Sequence, residues 1–306
     1  MRETEVQRPR ELILVAGASG TLGRVITRRL RQEGRNVRAL SRDARKLDEL
    51  AKLGAEPFVG DMLDRASMDR ACDGVTEIVS TANSIFGKGA GSPNRVDATM
   101  YETLGAAARA AAARRWVHVS ARDITADSLV DFFRVKLEVE GIVKRSGVPW
   151  VAIRPSALMD VWTGVLFGNP EKPGPVATVF GRGDRVCNFI AIEDVASFVL
   201  AILRDPSVKN EVIDIGGPSQ MTLVQFSAPI QRALGVPEKR RHIPAPVLRI
   251  ARHVVRPFNE VAARLVSMGY WMTVTDRQFP EWRTSASRFG IEPITVEQFA
   301  GRFSAR

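Results

Sequence analysis

The sequence predicts an α/β protein in which a doubly wound parallel sheet is followed by a smaller C-terminal lobe. Three observations support this prediction. The apolar run at 12–16 passes through three glycines into a helix-forming segment. Strand and helix patterns then alternate as far as Pro155, which is typical of parallel sheets. Beyond Pro155 the alternation loosens into a Gly- and Pro-rich stretch, and the 306 residues suffice for a core and an added lobe.

The glycine turn after the first strand has the spacing of a dinucleotide-binding loop. Gly17 makes the tight turn, Gly20 lets the backbone approach a pyrophosphate, and Gly23 lets the helix pack closely on the strand. The free N–H groups and the dipole of the helix N-terminus favour phosphate. A turn that binds nothing is the alternative. The other residues predicted to contact the cofactor here are Ser19, Thr21 and Leu22.

The end of the second strand indicates which nucleotide is bound. Where NAD enzymes commonly have a carboxylate for the ribose 2′-OH, this chain has Ser41 and Arg42. A guanidinium there can make a charge-assisted contact with a 2′-phosphate, so the sequence predicts NADP(H). Asp43 is a competing ribose ligand, but its position one residue into the loop favours a helix N-cap.

The alternation predicts the remaining elements of a Rossmann fold. Strands are predicted at 11–16, 36–40, 56–59, 77–80, 116–120, 148–154 and 211–215. Helices are predicted at 22–33, 44–53, 65–72, 96–113, 132–146 and 193–204. We expect an NAD(P)-binding core at 11–155, completed by 190–216, a substrate lobe at 156–189 and 217–306, and a flexible N-terminus at 1–10.

Loops at the carboxyl ends of the strands are where a ligand binds in an open α/β sheet. Asp61 and Met62 are therefore expected near the adenine, and Ser120 near the nicotinamide. A simple turn is the alternative for Asp61. The glycine-rich loop at 85–94 either folds over the cofactor or only connects two elements. The residues expected near the second ribose are Thr81, Ala82 and Asn83.

Composition excludes several classes of protein. Cys72 and Cys187 are too few and too distant in sequence for a disulfide framework or a metal site, so no metal is expected. No secretory signal and no apolar run long enough to span a membrane is visible, which favours the cytoplasm. The net charge of +10 is spread along the chain without a nucleic-acid-binding motif, so a solvated basic surface is expected rather than a nucleic-acid partner.

An ordered set of motifs carries a family resemblance. Its parts include Val15-Ala-Gly-Ala-Ser-Gly-Thr-Leu-Gly-Arg24, Val37-Arg-Ala-Leu-Ser-Arg42, Val59-Gly-Asp-Met-Leu-Asp64, Trp116-Val-His-Val-Ser120, Lys136, Ser146-Gly-Val-Pro-Trp150 and Arg154-Pro155. Over residues 11–216 this set resembles the NmrA-like group of atypical short-chain dehydrogenases/reductases. The resemblance implies a Rossmann core that binds NADP(H), a variable C-terminal substrate lobe, and Pro155 among the residues near the cofactor.

The resemblance also implies roles for two side chains. Lys136 matches the lysine that holds the nicotinamide ribose, and Ser120 matches the serine at the end of the fifth strand, so both are candidate catalytic residues. The wider superfamily has a tyrosine four residues before this lysine as proton donor, and here Phe132 stands in its place. Without the phenol, standard carbonyl reduction is not predicted. The alternative for Lys136 is a solvated residue paired with Glu140.

Hydride transfer needs geometry, whereas protonation needs an acid. A quinone or an enone-like acceptor gives a stabilised anion that water or Lys136 could protonate, so the sequence predicts an NADPH-dependent reductase of a small apolar conjugated acceptor. Tyr101 and His118 are weaker donor candidates and are expected to be structural. The alternative function is an NADP(H)-binding redox sensor or assembly factor without turnover. We expect a monomer or a homodimer.

The lobe offers two further predictions, each with an alternative. Helices are expected at 223–234 and 246–256. Within the second, Val247, Leu248 and Val254 recur at helical spacing opposite arginines. Packing on the core is the favoured interpretation, and peripheral membrane contact through 246–258 is the alternative. The aromatic side chains expected to line a substrate pocket, or only to pack together, are Trp162, Phe167, Phe180 and Phe189.

Overall fold

A computed structural model describes residues 11–304, and the N-terminus predicted to be flexible, 1–10, lies outside the described residues. The strands are β1 Leu12–Ala16, β2 Asn36–Ser41, β3 Glu56–Val59, β4 Glu77–Ser80, β5 Arg115–Val119, β6 Trp150–Pro155, β7 Ala157–Leu158, β8 Val176–Phe180, β9 Val186–Ile190, β10 Glu211–Ile215, β11 Ser219–Thr222 and β12 Lys239–Ile243.

The helices surround this framework in the same chain order. They are α1 Thr21–Gln32, α2 Asp48–Lys52, α3 Arg65–Cys72, α4 Pro93–Ala110, α5 Asp131–Arg145, α6 Met159–Phe167, α7 Ile192–Arg204, α8 Leu223–Ala233, α9 Ala245–Val254, α10 Glu260–Val274, α11 Trp282–Phe289 and α12 Val296–Gly301. Two short 3₁₀ turns, Ala44–Leu47 and Gly89–Gly91, precede α2 and α4.

The predicted doubly wound sheet is confirmed. Seven parallel strands run in the order β10-β6-β5-β4-β1-β2-β3, so the chain moves outward from β1 in one direction and then in the other. Helices α1 and α7 cover one face, and α3, α4 and α5 cover the other. The reversal of strand order lies between β1 and β4, where a ligand crevice is expected in such sheets.

One predicted helix of the Rossmann core differs in the structure, and a local hydrogen bond explains the difference. Residues 44–53, predicted as one helix, form the 3₁₀ turn and then the short α2. The turn begins because the side chain of Asp43 accepts a hydrogen bond from the N–H of Arg45 at 3.1 Å. Asp43 is therefore the N-cap that its position predicted, although of a 3₁₀ turn.

The lobe contains two small sheets, and their strands are absent from the strands predicted from the sequence. β11, β9 and β7 form one, and β8 pairs in parallel with β12 to form the other. Helix α11 returns to the Rossmann core, where Ala286 packs against the cluster that includes α7. The aromatic residues considered for a substrate pocket pack together in the core of the lobe, namely Trp162, Phe167, Phe180 and Phe189.

Both cysteines are buried and free. Burial raises the pKa of Cys72 to about 12, and it raises the pKa of Cys187 to about 12 as well. Between 11 and 304, no helix is long and apolar enough to cross a membrane.

Candidate functional site

The glycine turn between β1 and α1 has the geometry that its spacing predicts. Gly17 adopts a φ of +95°, and a Cβ there would lie 2.6 Å from the backbone nitrogen of Ala82. A Cβ on Gly23 would lie 2.1 Å from the carbonyl oxygen of Gly17. Gly20 has an ordinary φ of −76° and is exposed. Two glycines are therefore required by the fold, while a Cβ on the exposed Gly20 would make only one tight contact, 3.3 Å from the carbonyl oxygen of Gly17.

The first turn of α1 leaves backbone donors for a ligand. No side chain caps the helix at Gly20, and its first turn contains no acidic residue. The N–H groups that start a helix have no partner within the helix, so they can donate to an anion. Thr21 is exposed, Ser19 and Leu22 are partly buried, and the three stand around this turn. The site fits the diphosphate of a dinucleotide.

The carboxyl end of β2 presents a free guanidinium beside a buried hydroxyl. Arg42 is exposed, and no ion pair of it is found in the described chain. Ser41 is buried and its Oγ accepts a hydrogen bond from the N–H of Asp43 at 3.2 Å, which leaves its hydroxyl hydrogen available. Because Asp43 is engaged by Arg45, its carboxylate does not pair with Arg42.

The neighbouring strand ends supply the other residues predicted near the nucleotide. Asp61 forms a turn in which its carboxylate accepts from the N–H of Leu63 at 3.0 Å, and Met62 is buried. Thr81 directs its hydroxyl to the carbonyl of Gly17 at 3.4 Å, which joins the end of β4 to the glycine turn. Ala82 is partly buried and Asn83 exposed in the loop that follows.

The ends of β5 and β6 and the first turns of α5 bring the candidate catalytic residues together. Lys136 donates from Nζ to the carbonyl of Val119 at 3.3 Å, and its ammonium lies 5.4 Å from the ring centroid of Phe132. Ser120 follows directly, and its Oγ is buried without a hydrogen-bond partner in the described chain. A buried hydroxyl without a partner is costly unless a ligand completes its bonding. Pro155 ends β6, and its carbonyl accepts from Arg122 at 2.9 Å.

Burial sets the charge state of Lys136. Burial lowers the pKa of Lys136 to about 8, while the carboxylates of Asp97 and Glu140 favour the charged form. Near neutral pH the amine is mostly protonated and yet close to its titration point. Such a group can give up a proton within the physiological range.

The alternative pairing of Lys136 with Glu140 is wrong. Glu140 is fully buried, and its carboxylate accepts from Arg154 at 2.7 and 2.9 Å and from Lys144 at 2.7 Å. Burial raises the pKa of this carboxyl, but the bonds from Arg154 and Lys144 outweigh burial and hold the pKa of Glu140 at about 2. Lys136 is therefore free of that ion pair.

Tyr101 and His118, which are predicted to be structural, are both buried and pack against each other. The hydroxyl of Tyr101 donates to the carbonyl of Ala82 at 2.8 Å, and burial raises the pKa of Tyr101. His118 is buried, with Nδ1 3.0 Å from the hydroxyl of Ser80, and burial lowers its pKa to about 3. The two rings pack edge to face with centroids 5.0 Å apart. Neither group is poised to donate a proton near neutral pH.

An apolar cluster that the sequence analysis did not assemble stands beside Lys136. Phe132 and Phe133 of α5 pack with Met268 of α10, and Phe133 lies edge to face with Trp271 at 4.8 Å. The apolar residues of α10 recur at helical spacing, which indicates a buried side. The sequence does not show that this side packs against α5. The other members, from loops and α5 or α10, are Ile85, Ala121, Ile124, Val130, Leu137 and Leu265.

Asp97 of α4 is a second residue that the sequence analysis missed. It is buried, and its carboxylate accepts hydrogen bonds from the N–H and the hydroxyl of Ser84. Burial raises the pKa of Asp97 even though the bonds from Ser84 and the charges of Lys136 and Arg264 lower it. Asp97 thus fixes the loop after β4 within electrostatic range of Lys136.

The profile of a protein family described as NAD(P)H-binding matches residues 17–206, which is more than half of the chain and includes the glycine turn and Lys136. The chain belongs to this family. By that description, NAD(P)H is the cofactor that the family binds. The residues around the glycine turn fit it.

Curated relatives include two reductases and an assembly factor. The chain is 31% identical over 229 residues to a (4-alkanoyl-5-oxo-2,5-dihydrofuran-3-yl)methyl phosphate reductase of Streptomyces griseus, covering 74% of this chain and 75% of the relative. It is 26% identical over 226 residues to an NAD(P)H azoreductase of Xenophilus azovorans, with coverage of 74% and 75%. It is 23% identical over 243 residues to the photosystem II assembly factor Ycf39 of Trieres chinensis, with coverage of 79% and 75%.

Solved structures agree on the fold. An NADPH-dependent quinone oxidoreductase of Escherichia coli, complexed with NADPH, superimposes with a TM-score of 0.75 at 17% identity. The match covers 94% of this chain and 98% of that one. Both the core and the lobe are therefore shared, although the identity is too low to transfer an activity.

Proposed function

We propose that this protein is an NADPH-dependent reductase that transfers hydride to a small apolar conjugated acceptor, quinone-like or enone-like. The observation that carries the proposal is the group formed by Lys136, the unpartnered hydroxyl of Ser120 and the ring of Phe132. It offers a positioning amine and a hydrogen-bond donor, without the phenol that reduction of an isolated ketone requires. The reductases among the curated relatives support this class of reaction.

When bound, the cofactor supplies the hydride. In the proposed roles, the backbone donors of α1 hold its diphosphate, Lys136 binds the nicotinamide ribose, and Ser120 donates to an acceptor oxygen. Addition of hydride to a conjugated acceptor leaves an enolate or quinol anion in which the charge is delocalised. The ammonium of Lys136, with its pKa of about 8, or a water molecule then supplies the proton. The apolar cluster around Phe133, next to Phe132, is the surface that we assign to the flat apolar acceptor.

The name of one relative, a furanone phosphate reductase, supports the acceptor class. The ring in that name carries a double bond conjugated with carbonyl groups, which is the chemistry that an active site without a phenol favours. A preference for NADPH over NADH is part of the proposal and is supported by the free guanidinium of Arg42. A cytoplasmic location is also proposed, supported by two cysteines that are free rather than bridged.

A second candidate is an NADP(H)-binding sensor or assembly factor without turnover. It is favoured by Phe132, which removes the usual proton donor, and by the assembly factor among the relatives. Such a protein needs the glycine turn and the ribose contacts but no acceptor site. The two candidates therefore differ in what happens to bound NADPH.

Stopped-flow oxidation of bound NADPH separates them. The panel consists of a naphthoquinone, a butenolide, a cyclic enone and a simple ketone at matched concentration. The reductase oxidises NADPH with at least one conjugated member and shows negligible turnover with the ketone. A sensor binds NADPH and oxidises it with no member. Ketone reduction that survives in Lys136→Ala contradicts both functions, because it requires a different active site.

A further inference from the structure

The end of the molecule that contains α9 exposes a row of apolar side chains. Val247, Ile250 and Val254 recur at spacings of three and four residues and are 51%, 60% and 59% exposed. Phe258, one further turn along the chain, is 86% exposed. We call these four residues the α9 face. Contiguous exposed apolar residues mark an interaction site more often than scattered ones do.

The α9 face departs from the expectation that this helix packs on the core with its whole apolar side. Leu248 is buried and makes that packing contact, whereas Val254, predicted to face the core, points to solvent. The side of the helix next to the α9 face is basic, with Arg249 and Arg256 exposed. Helix α9 therefore buries Leu248 on one side, exposes the apolar row of Val247, Ile250 and Val254 on another, and exposes Arg249 on a third.

A polar cleft of about 380 Å³ opens beside the basic side of α9. It is lined by the N-terminal ends of α4, α5 and α10 and by α9, and its basic side chains are Arg95, Arg134, Arg252, His253, Arg256 and Arg264. Three carboxylates also line the cleft: Asp131 pairs with Arg264 at 3.6 Å, Glu260 accepts from a backbone N–H, and Asp127 is hydrogen-bonded by Thr125. Within residues 11–304, Arg95, Arg252 and Arg256 have no carboxylate partner.

The loop that follows β4 extends the same surface. Arg264 donates to the carbonyls of Ile85 and Gly87, and the N–H of Gly89 donates to Glu260 at 3.2 Å. These bonds attach the loop to the start of α10, next to the cleft. At its tip Phe86 is 71% exposed. Two aromatic rings, Phe86 and Phe258, therefore stand near an arginine-lined cleft.

We propose that this end of the molecule docks on an anionic lipid bilayer, with the α9 face and Phe86 inserted among the acyl chains and the arginine-lined cleft over the phosphate headgroups. Exposed apolar and aromatic side chains beside basic ones are the signature of a helix that lies in a membrane interface. The unpaired arginines select a negatively charged surface, which a neutral apolar partner would not require. The net charge of +10 adds long-range attraction.

Sedimentation with vesicles tests the proposal on the full chain. Vesicles of phosphatidylcholine with phosphatidylglycerol are compared with vesicles of phosphatidylcholine alone. We expect at least tenfold stronger partitioning onto the anionic vesicles, and we expect high salt to weaken it because salt screens the arginines. Equal partitioning onto both vesicles, or none onto either, overturns the proposal.

Two double variants separate the apolar and basic contributions. Ile250→Ser with Phe258→Ser is expected to lower the partition coefficient at least tenfold, and Arg95→Gln with Arg256→Gln about 25-fold, at about fivefold per arginine. The matched control is Leu53→Ser with Val176→Ser, which changes side chains 40% and 43% exposed outside the surface. A loss of the same size in the control contradicts the assignment of this surface.

Light scattering tests the alternative that a second copy of the chain, rather than a bilayer, covers the α9 face. If the α9 face holds a dimer, the Ile250→Ser, Phe258→Ser variant becomes monomeric while the parent does not bind vesicles, and the proposal fails. If the parent and the double variant have the same oligomeric state while the variant loses vesicle binding, the bilayer is the occupant. NADPH affinity, measured in the same samples, is expected to stay unchanged and reports that the variants are folded.

Discussion

The two ends of the cofactor crevice use different kinds of binding groups, backbone groups at one end and side chains at the other. At the glycine turn the binding groups belong to the backbone: Gly17 and Gly23 let the chain itself pack closely, and Gly20 leaves the start of α1 without a side chain. At the nicotinamide end the groups are side chains whose charge depends on burial, as the pKa of about 8 at Lys136 shows. Backbone geometry is encoded locally, whereas a side-chain environment depends on distant segments such as α10.

The largest expected effect is at the backbone end, from Gly20→Val. At Gly20 the φ is ordinary, and a Cβ there lies 3.3 Å from the carbonyl oxygen of Gly17, which must shift by a few tenths of an ångström; the branched side chain then enters the space of the diphosphate. We expect NADPH affinity to fall several hundredfold by calorimetry, about 3.5 kcal/mol.

Circular dichroism and thermal unfolding accompany that measurement, with Gly20→Ala as the smaller matched change. If the valine variant is folded and still binds NADPH as the parent does, the diphosphate is held elsewhere. The assignment of the glycine turn as the diphosphate site is then wrong.

The next largest effect belongs to the side-chain end. Lys136→Ala is expected to lower NADPH oxidation by a conjugated acceptor about 100-fold, in the range that a positioned acid contributes. Because the protonated amine is the donor, the rate of the parent falls as pH rises through about 8.

The alanine variant lacks that pH dependence, since water then supplies the proton. Lys144→Ala is the control on the same helix, where the ammonium pairs with Glu140 instead. A pH profile with the same fall near 8 in both parent and Lys136→Ala assigns the titration to another group.

A smaller effect is expected from Arg42→Ala, which tests the free guanidinium at the end of β2. One charge-assisted contact with the 2′-phosphate accounts for about tenfold in affinity, roughly 1.4 kcal/mol. The preference for NADPH over NADH measured by calorimetry should shrink by that factor. Arg45→Ala, in which an exposed arginine that pairs with Asp43 is lost, should leave it unchanged. Equal affinity of the parent for the two cofactors contradicts the assignment.

The smallest expected effect is a gain of ketone reduction. Phe132→Tyr restores a phenol four residues before Lys136 on one face of α5, and we expect measurable but slow reduction of a simple ketone. The double variant with Lys136→Ala should lose it, because the lysine lowers the pKa of a neighbouring phenol. A gain that is independent of Lys136 would falsify the arrangement proposed for the two residues.

The same contrast explains what could be predicted from the sequence. The core follows from local signals, since an apolar run, a glycine turn and an amphipathic helix are each contiguous, and the parallel sheet is their repetition. The lobe does not, because β8 at 176–180 pairs with β12 at 239–243 across a long separation in a Pro-rich stretch. The helix predicted at 246–256 is present, but the side of it that packs on the protein could not be predicted. Leu248 and Val254 are both apolar residues at helical spacing, and only Leu248 is buried.

For the candidate site, motif spacing predicted the residues but not their electrostatics. Spacing alone allowed Lys136 to pair with Glu140 as an i,i+4 neighbour. The outcome was decided by Arg154, which is brought to Glu140 by the strand β6 on which it stands. Asp97 and Trp271 reach the same region from α4 and α10. Such contacts depend on tertiary packing that periodicity does not encode.

The burial of both thiols has a consequence for a protein that handles electrophiles. Quinones and enones arylate or alkylate cysteine through its thiolate, and a thiol with a pKa of about 12 is almost entirely protonated at neutral pH. Cys72 and Cys187 are the only cysteines of the chain, and neither is accessible in the fold. The folded protein is thereby shielded from self-inactivation by the acceptors it is proposed to reduce, and unfolding is the event that exposes it to covalent damage.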